Sequence, residues 1–481
     1  MNSTRGDLVA AYAATGAKVL SWVVAAAVVY RTLGEAAFAV LAMTRATLGL
    51  LNYTTFGLGP AAVRVVANIR EQQRRGVRFS PPSDLADGGL KPTLQPETAA
   101  LAAEPIDLDY SSPRRGTAAE PFTTVDVYRT LRALVLPVGG TAFFCVLAFA
   151  VAFPAVFEVW NIPDDEVGMF VLFLGIGMLL RLLGDAFGGI SQGLGAVAKD
   201  QQRAAAGDAL FALLLCLAAA AGMTLQLVGL LFALSGAVAC ISRLLLAKQT
   251  AFDASADEVD SQRPFRPIAQ KLLVAGGLVT LGNAADFLYA PIDYLILNRM
   301  VYLLAPAVYA PAIQVDAAIL ILTTAVATVA LPSAARLHAA GDLGGVWRSY
   351  LRGSLLAGGV ATGAGLLAWA VSPWAFELWL GDDLPATRAI LPWVLLHTVL
   401  GSAASVGRAT LIAVGRPGLY ACIVLAGGAI NAGVSVGLVQ LGWGIRGVIA
   451  GTVLSVALRC LIALPWAIRR ATREHVRVNL P

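Results

Sequence analysis

The amino-acid sequence predicts an all-α polytopic membrane protein. We expect about 12 transmembrane helices in two six-helix bundles, related by a pseudo-twofold axis along the membrane normal. Apolar residues make up 58% of the 481 positions and charged residues 14%, whereas soluble proteins carry roughly 25% charged residues. Apolar runs of membrane-crossing length, about 20 residues, recur along the whole chain. This composition excludes a soluble enzyme, a nucleic-acid-binding module and a secreted disulfide scaffold.

The apolar runs predict helices, because backbone exposed to lipid must satisfy its hydrogen bonds within its own segment. The predicted spans are residues 8–30, 37–67, 131–157, 167–190, 206–225, 227–250, 269–297, 307–332, 351–373, 387–414, 418–440 and 444–467.

Lysine and arginine concentrate in the loops after even-numbered spans and in the C-terminal tail. Arg31 and Arg299 are nearly the only basic residues of the odd-numbered loops, two of which are acidic. Basic residues favour the cytoplasmic side of a membrane. We therefore expect both termini in the cytoplasm and attribute the net charge of +5 to cytoplasmic loops.

The predicted organisation is an N-terminal bundle over 1–250, a cytoplasmic linker over 251–268, a C-terminal bundle over 269–467 and a basic cytoplasmic tail over 468–481. Residues 70–127 contain seven prolines and no helical apolar period. Such a segment buries too little apolar surface to fold, so we expect a disordered cytoplasmic loop. It is either a tolerated insertion or a docking site for a partner enzyme.

The two halves resemble each other when the chain is shifted by 217 residues. Residues 183–186 (LGDA) then fall on 400–403 (LGSA), and 194–199 (LGAVAK) on 411–416 (LIAVGR). Six plus six helices in the same orientation form a parallel repeat about an axis normal to the membrane. Two such bundles are expected to enclose a central cavity.

Motifs for catalysis lack the context that they need. Residues 189–193 match G-x-S-x-G, but the motif requires a strand, a turn and a nearby histidine, and it ends a predicted membrane helix. The D-x-D at 107–109 lies in the proline-rich loop. The five cysteines lie in apolar runs and are interpreted as packing residues. We therefore expect no enzyme activity and no cofactor.

Ionisable residues inside membrane spans are energetically costly, and they indicate functional sites. The predicted spans hold two such sets. The cations are Lys18, Arg45, Arg181 and Arg408, and the carboxylates are Asp286, Asp293 and Asp316. A cavity lined by Arg and Lys suits an anionic headgroup, because guanidinium groups bind phosphate oxygens with paired hydrogen bonds.

Structural interpretations remain open for several of these residues. Arg181 and Asp185 are four residues apart and can pair on one helix face. Asp286 and Asp293 are seven apart, so they share a face of their helix. Asp293 can instead cap a helix near the outer surface.

Several short segments, in order, resemble the Wzx-like polysaccharide flippases. They are residues 31–38 (RTLGEAAF), 56–59 (FGLG) with 62–64 (AVR), 291–296 (PIDYLI), 307–312 (AVYAPA), 331–337 (LPSAARL), 426–431 (AGGAIN) and 444–450 (GIRGVIA). The resemblance runs nearly the full length and implies the MOP exporter superfamily, which also includes the lipid II flippase and the MATE drug antiporters.

The resemblance implies a flippase of the bacterial cytoplasmic (inner) membrane. Such proteins move undecaprenyl-diphosphate-linked oligosaccharide by alternating access for cell-surface polysaccharide and lipopolysaccharide synthesis. Lys18, Arg45, Arg181 and Arg408 are then the candidates for substrate binding. The carboxylates Asp286, Asp293 and Asp316 would couple transport to a proton or sodium gradient, or balance the cations. The implied partners are membrane lipids and a polysaccharide polymerase or glycosyltransferases.

Three alternatives differ from this interpretation. A MATE-type multidrug or cation antiporter needs an acidic, aromatic site, and the deep cations of the first half disfavour it. A membrane-embedded glycosyltransferase or polymerase needs a large outer loop, and every predicted outer loop is short. A non-transporting scaffold of the polysaccharide machinery would act through residues 70–127.

Overall fold

Helices make up nearly all of the described chain. The structure is a computed structural model that describes residues 2–49, 58–78, 123–159, 161–254, 266, 268–270, 272–273 and 289–478. The helices are α1 (Asn2–Leu48), α2 (Leu58–Arg78), α3 (Thr124–Val156), α4 (Asp164–Gly193), α5 (Val197–Ala221), α6 (Leu225–Asp253), α7 (Ala290–Ile296), α8 (Ala305–Ala339), α9 (Leu343–Leu380), α10 (Pro385–Ala413), α11 (Pro417–Gln440), α12 (Gly444–Ala457) and α13 (Leu464–Val478). A π turn, Leu297–Val301, follows α7, and another, Leu458–Ala463, joins α12 to α13.

Ten helical stretches among the described residues are long and apolar enough to cross a membrane. The first of them covers most of the span predicted at 8–30 and the first part of that predicted at 37–67, because α1 is two helices joined at Gly34. Gly34 has a φ of 84° and a non-helical ψ of −178°, a conformation that glycine adopts without a steric penalty. The kink reverses the chain between the spans predicted at 8–30 and 37–67.

The loop predicted over residues 70–127 is shorter than expected. Its first part is helical, since α2 continues to Arg78. Its last part begins α3, where Thr123 and Asp126 form a reciprocal capping box with two hydrogen bonds of 3.1 Å. Residues 79–122, which contain most of the predicted loop, lie outside the described residues.

The basic tail predicted at 468–481 is helical as far as Val478. The start of one predicted span differs from the structure. Helix α5 begins at Val197, well before the predicted start at 206. Polar side chains in its first turns led us to place that start too late, but Asp200 is buried and hydrogen-bonded there.

Helix α4 is the centre of the first half, where it packs against α2, α3 and α6. Small residues allow the closest approach to α6. A β-carbon built on Gly177 would lie 2.9 Å from the backbone nitrogen of Ala233, and one built on Gly236 would lie 2.7 Å from the carbonyl oxygen of Gly177. In the second half, α10 has the same central position between α8, α9 and α12.

The halves meet at the end of the molecule where α1 kinks, here named the kink end. The opposite end, where α1 begins and α13 finishes, is named the terminus end. At the kink end, the Asn298 side chain exchanges two 2.9 Å hydrogen bonds with the backbone of Glu158, and Arg299 forms a 2.6 Å ion pair with Glu158. Arg31 donates to the carbonyl oxygen of Leu378. These contacts join the first half to the second.

Below these polar contacts, buried apolar side chains of the two halves pack against each other. One buried cluster contains residues of both halves, including Phe38 and Phe153 of the first and Tyr294, Tyr309 and Phe376 of the second. The kink end is therefore sealed, and polar space is found nearer the terminus end.

Candidate functional site: a cation-lined cavity in the first half

A cavity of about 790 Å³ lies among α1, α2, α4, α5 and α6. Gln192, near the end of α4, and Gln201, near the start of α5, line it, so it extends toward the terminus end. All of its described lining residues belong to the first half. The sequence predicted a central cavity enclosed by both halves. In the structure, the described residues that line this cavity all belong to the first half.

The charged residues of the cavity come from four helices. The cations are Lys18 and Arg45 of α1, Arg181 of α4 and Arg243 of α6, and the acids are Asp185 of α4 and Asp208 of α5. Three of the four cations predicted to bind substrate thus line one cavity. The fourth, Arg408, lies outside that lining, with its guanidinium 5.9 Å from the ring centre of Tyr420.

Two of the guanidinium groups stack on aromatic rings. Arg45 lies 4.2 Å from the ring centre of Trp22, and Arg181 lies 4.4 Å from that of Phe232. The two rings are in contact, 5.2 Å apart, and Phe211 packs against both. Such cation–π contacts stabilise a positive charge and leave the edge of the guanidinium free to donate hydrogen bonds.

Arg181 is held by side chains of two neighbouring helices. It forms an ion pair with Asp208 of α5 and donates a 2.9 Å hydrogen bond to the hydroxyl of Ser235 on α6. Its Nε is buried with no hydrogen-bond partner. Asp185, the partner expected one turn along α4, instead accepts from Arg243. The predicted pairing within one helix is therefore replaced by pairings between helices.

Arg243 is the most enclosed of the four cations. It is 4% exposed and donates through two nitrogens to Asp200, which is fully buried, with both distances 2.8 Å. Gln192 donates to the same carboxylate at 2.7 Å. A charge this deep is tolerated only when it is paired and hydrogen-bonded. This network binds α6 to α4 and α5.

The excess positive charge of the cavity lies at Lys18 and Arg45. Arg181 and Arg243 are each balanced by carboxylates. Within the described residues, neither Lys18 nor Arg45 forms an ion pair with an acidic side chain. An unbalanced cation beside a cavity attracts an anion, and the attraction grows as the surroundings exclude water. The side of the cavity formed by α1 is therefore suited to an anionic group.

The predicted carboxylates form a separate polar region in the second half. Asp293, 1% exposed, accepts hydrogen bonds from Asn431 at 2.9 Å, Thr452 at 3.0 Å and Tyr309 at 3.1 Å. It is thus buried among α8, α11 and α12, where its carboxylate accepts from three side chains. Asp286 lies outside the described residues.

Asp316 lies on α8 and faces α10. It accepts a 2.6 Å hydrogen bond from Thr398, and its Oδ1 lies 3.7 Å from Nε2 of His397. No group of three or more His, Cys, Asp or Glu in the described part of the chain is arranged to hold a metal ion. The carboxylates of the second half are instead enclosed by hydroxyl, amide and imidazole groups.

Sequence reasoning missed several residues of these sites. Arg243 lies within the span predicted at 227–250, and Asp208 within that at 206–225, so a full count of charges in the spans would have found both. Asn431 and Thr452 are uncharged and carried no such signal. Only their contact with Asp293 reveals them.

No protein-family model matches the chain, and no curated protein sequence matches it. Solved structures do. An inward-facing multidrug-resistance MATE family transporter of the MOP superfamily superposes with a TM-score of 0.68 at 14% identity, covering 96% of each chain. An outward-facing one has a TM-score of 0.61 at 14% identity, covering 98% of this chain and 96% of the other.

A third structure is a MOP superfamily transporter from Pyrococcus furiosus Vc1, described as having a binding pocket of reverse polarity that suggests a different function. It has a TM-score of 0.62 at 14% identity, covering 100% of this chain and 96% of its own. The chain has the fold of these MATE transporters. The ten membrane-crossing stretches among its described residues agree with the polytopic all-α architecture predicted from the sequence.

Proposed function

We propose that the protein is a flippase that moves an undecaprenyl-diphosphate-linked oligosaccharide across the bacterial cytoplasmic membrane by alternating access. The observation that carries the proposal is the cavity of about 790 Å³ with four cations, two of which have no acidic partner among the described residues. A diphosphate headgroup supplies the missing negative charge. The sealed kink end would face outward and the cavity would open to the cytoplasm, with both termini on the cytoplasmic side.

The cations have different roles in this proposal. Lys18 and Arg45 bind the diphosphate or acidic sugars, because no acidic side chain among the described residues neutralises their charges. Arg181 lines the same cavity with its charge balanced by Asp208, and Arg243 mainly positions α4 and α6. Arg408 lies apart from the cavity lining and takes no part in binding. No covalent bond is made or broken.

Transport against a gradient requires an energy source. In the proposal, a proton or sodium gradient acts through the buried carboxylates Asp293 and Asp316 of the second half. Their separation from the cavity means that coupling passes through the movement of helices. The helices would move in this way when the protein changes between inward- and outward-facing states.

The test of the proposal is polysaccharide export in a strain whose own gene is replaced by an Arg45→Ala variant. We expect export to stop while the protein inserts into the membrane at the normal level. Arg388→Ala is the matched control, since Arg388 is an arginine at the kink end, paired with Asp383 at 2.6 Å and remote from the cavity. Normal export by Arg45→Ala would remove Arg45 from the site.

The MATE-type antiporter is the second candidate, favoured by the multidrug transporters among the similar structures. A deletion strain tested for sensitivity to organic cations separates the two. Increased sensitivity to organic cations together with normal export of polysaccharide would favour the antiporter.

A further inference from the structure

We infer that His397 is a proton-binding residue, paired with Asp316, and that the ion coupled to transport is the proton. This inference rests on the proposed transport function and names its coupling ion. His397 lies on α10 opposite Asp316 on α8, with 3.7 Å between Nε2 and Oδ1. Imidazole is the side chain whose ordinary pKa lies closest to physiological pH.

The surroundings of the ring match its protonated form. A neutral imidazole has one nitrogen that donates and one that accepts, whereas an imidazolium donates from both. Nε2 faces the Asp316 carboxylate, which only accepts when ionised. Nδ1 is buried and has no hydrogen-bond partner among the described residues. The carboxylate beside Nε2 is therefore the group that attracts the positive charge of an imidazolium.

Thr398 fixes the carboxylate in place. Its hydroxyl donates to Oδ1 of Asp316 at 2.6 Å, the same oxygen that faces the ring. That hydroxyl also lies 3.0 Å from the Val394 carbonyl oxygen. The carboxylate therefore keeps its orientation when the imidazole is neutral. Proton uptake then changes the charge of a preformed pair without a large rearrangement.

The pair lies at the depth of the membrane interior. The side chains of His397 and Asp316 are 13% and 9% exposed, so the protein encloses most of both. Each lies about 17 Å from the kink end of its helix, at a rise of about 1.5 Å per residue. This is near the middle of a hydrocarbon layer about 30 Å thick. A proton site at that depth can be exposed to either side as the helices move.

The other charges around the ring are few. Helix α11 has no charged residue, and those of α9 lie toward its ends. Besides Asp316, the acid that interacts with the ring is Asp293 of α7. The other ionisable side chains of the two helices that carry the pair are Tyr309, Arg336 and His338 of α8 and Arg388 and Arg408 of α10. Asp293 is hydrogen-bonded to Tyr309 at 3.1 Å. Asp316 is therefore the acid that acts most directly on His397.

Proton binding can be measured without any substrate. The chain has three histidines, at 338, 397 and 475, so selective ¹⁵N labelling of histidine in the purified full-length protein gives few signals. His397→Gln and His338→Gln assign them. We expect the His397 signal to change between its neutral and imidazolium positions within pH 5–9, with a midpoint that moves in Asp316→Asn. A signal that stays in one form, or a midpoint unchanged in Asp316→Asn, would overturn the inference.

Coupling is measured in vesicles with a fluorescent polyprenyl-diphosphate disaccharide. A pH gradient should accelerate its movement by wild type and by His338→Gln. In His397→Gln the acceleration should fall by tenfold or more while downhill movement persists. Acceleration by a sodium gradient but not by a pH gradient would contradict the inference. If wild type moves none of the probe, the proposed function fails, and the histidine titration still decides whether His397 binds a proton.

Discussion

At the scale of single residues, paired buried charges hold the helices of the first half together. Arg243 forms ion pairs with Asp200 and Asp185 at once, and Asp200 is fully buried. Removing one partner of such a pair leaves a buried charge without a counter-ion. This destabilises the folded protein more than removing both partners does.

We therefore expect Arg243→Met to lower the free energy of unfolding by about 3–5 kcal/mol, because Asp200 would remain buried without its cation. The thermal unfolding midpoint in detergent is the measurement. The double variant Arg243→Met/Asp200→Asn should recover a large part of the loss. A single variant that unfolds at the wild-type temperature would show that the network does not stabilise the fold.

The contribution of Arg45 to substrate binding should depend on the flat shape of its guanidinium group as well as on its charge. Arg45→Lys keeps the positive charge but loses the flat group stacked 4.2 Å from Trp22. We expect lipid-diphosphate binding to weaken by about 2- to 30-fold, the range of a cation–π contact, with a larger loss in Arg45→Ala. Binding to purified protein by titration tests this order, and equal affinities for both variants would contradict it.

At the scale of helices, small residues determine how closely α4 approaches its neighbours. Alanine in a helix interior is normally about 1 kcal/mol more favourable than glycine. At Gly177 the added β-carbon would lie 2.9 Å from the backbone of α6, whereas at Gly363 of α9 it would meet nothing within 4 Å.

Gly177→Ala should thus destabilise the protein and Gly363→Ala should leave it unchanged or stabilise it. Thermal unfolding of the two variants side by side is the measurement. Similar midpoints for both would mean that the α4–α6 contact is looser than described.

The sequence was sufficient to predict the helices and most of the charged site. Apolar runs identify membrane helices because a backbone exposed to lipid has to form its hydrogen bonds within its own segment. The positions of Lys18, Arg45 and Arg181 inside those runs marked the cavity. The boundaries of α2 and α5 could not be predicted, since charged residues such as Asp200 were assigned to loops while their partners lay on distant helices. The cluster around Asp293 depends on uncharged residues that only folding brings together.

At the scale of the whole molecule, the closed kink end is the feature that the proposed transport cycle has to change. The Asn298 and Arg299 contacts to Glu158 join the halves there. In an alternating-access cycle these contacts must break to open that end.

Cysteines at 158 and 298, in a protein whose five native cysteines are replaced, can be joined by a short reducible crosslinker. We expect crosslinking to stop substrate movement and reduction to restore it, with each single-cysteine variant unaffected. Movement at the same rate before and after crosslinking would show that the kink end does not open during transport.

The most direct measurement is movement of a fluorescent polyprenyl-diphosphate disaccharide across vesicles that contain purified protein. Wild type and Arg388→Ala should move the fluorescent lipid across the membrane. The Lys18→Ala/Arg45→Ala variant should not, although the same amount of this variant is incorporated into the vesicles. Movement by the double variant at the wild-type rate, or movement by wild type no faster than in protein-free vesicles, would contradict an anion-binding flippase.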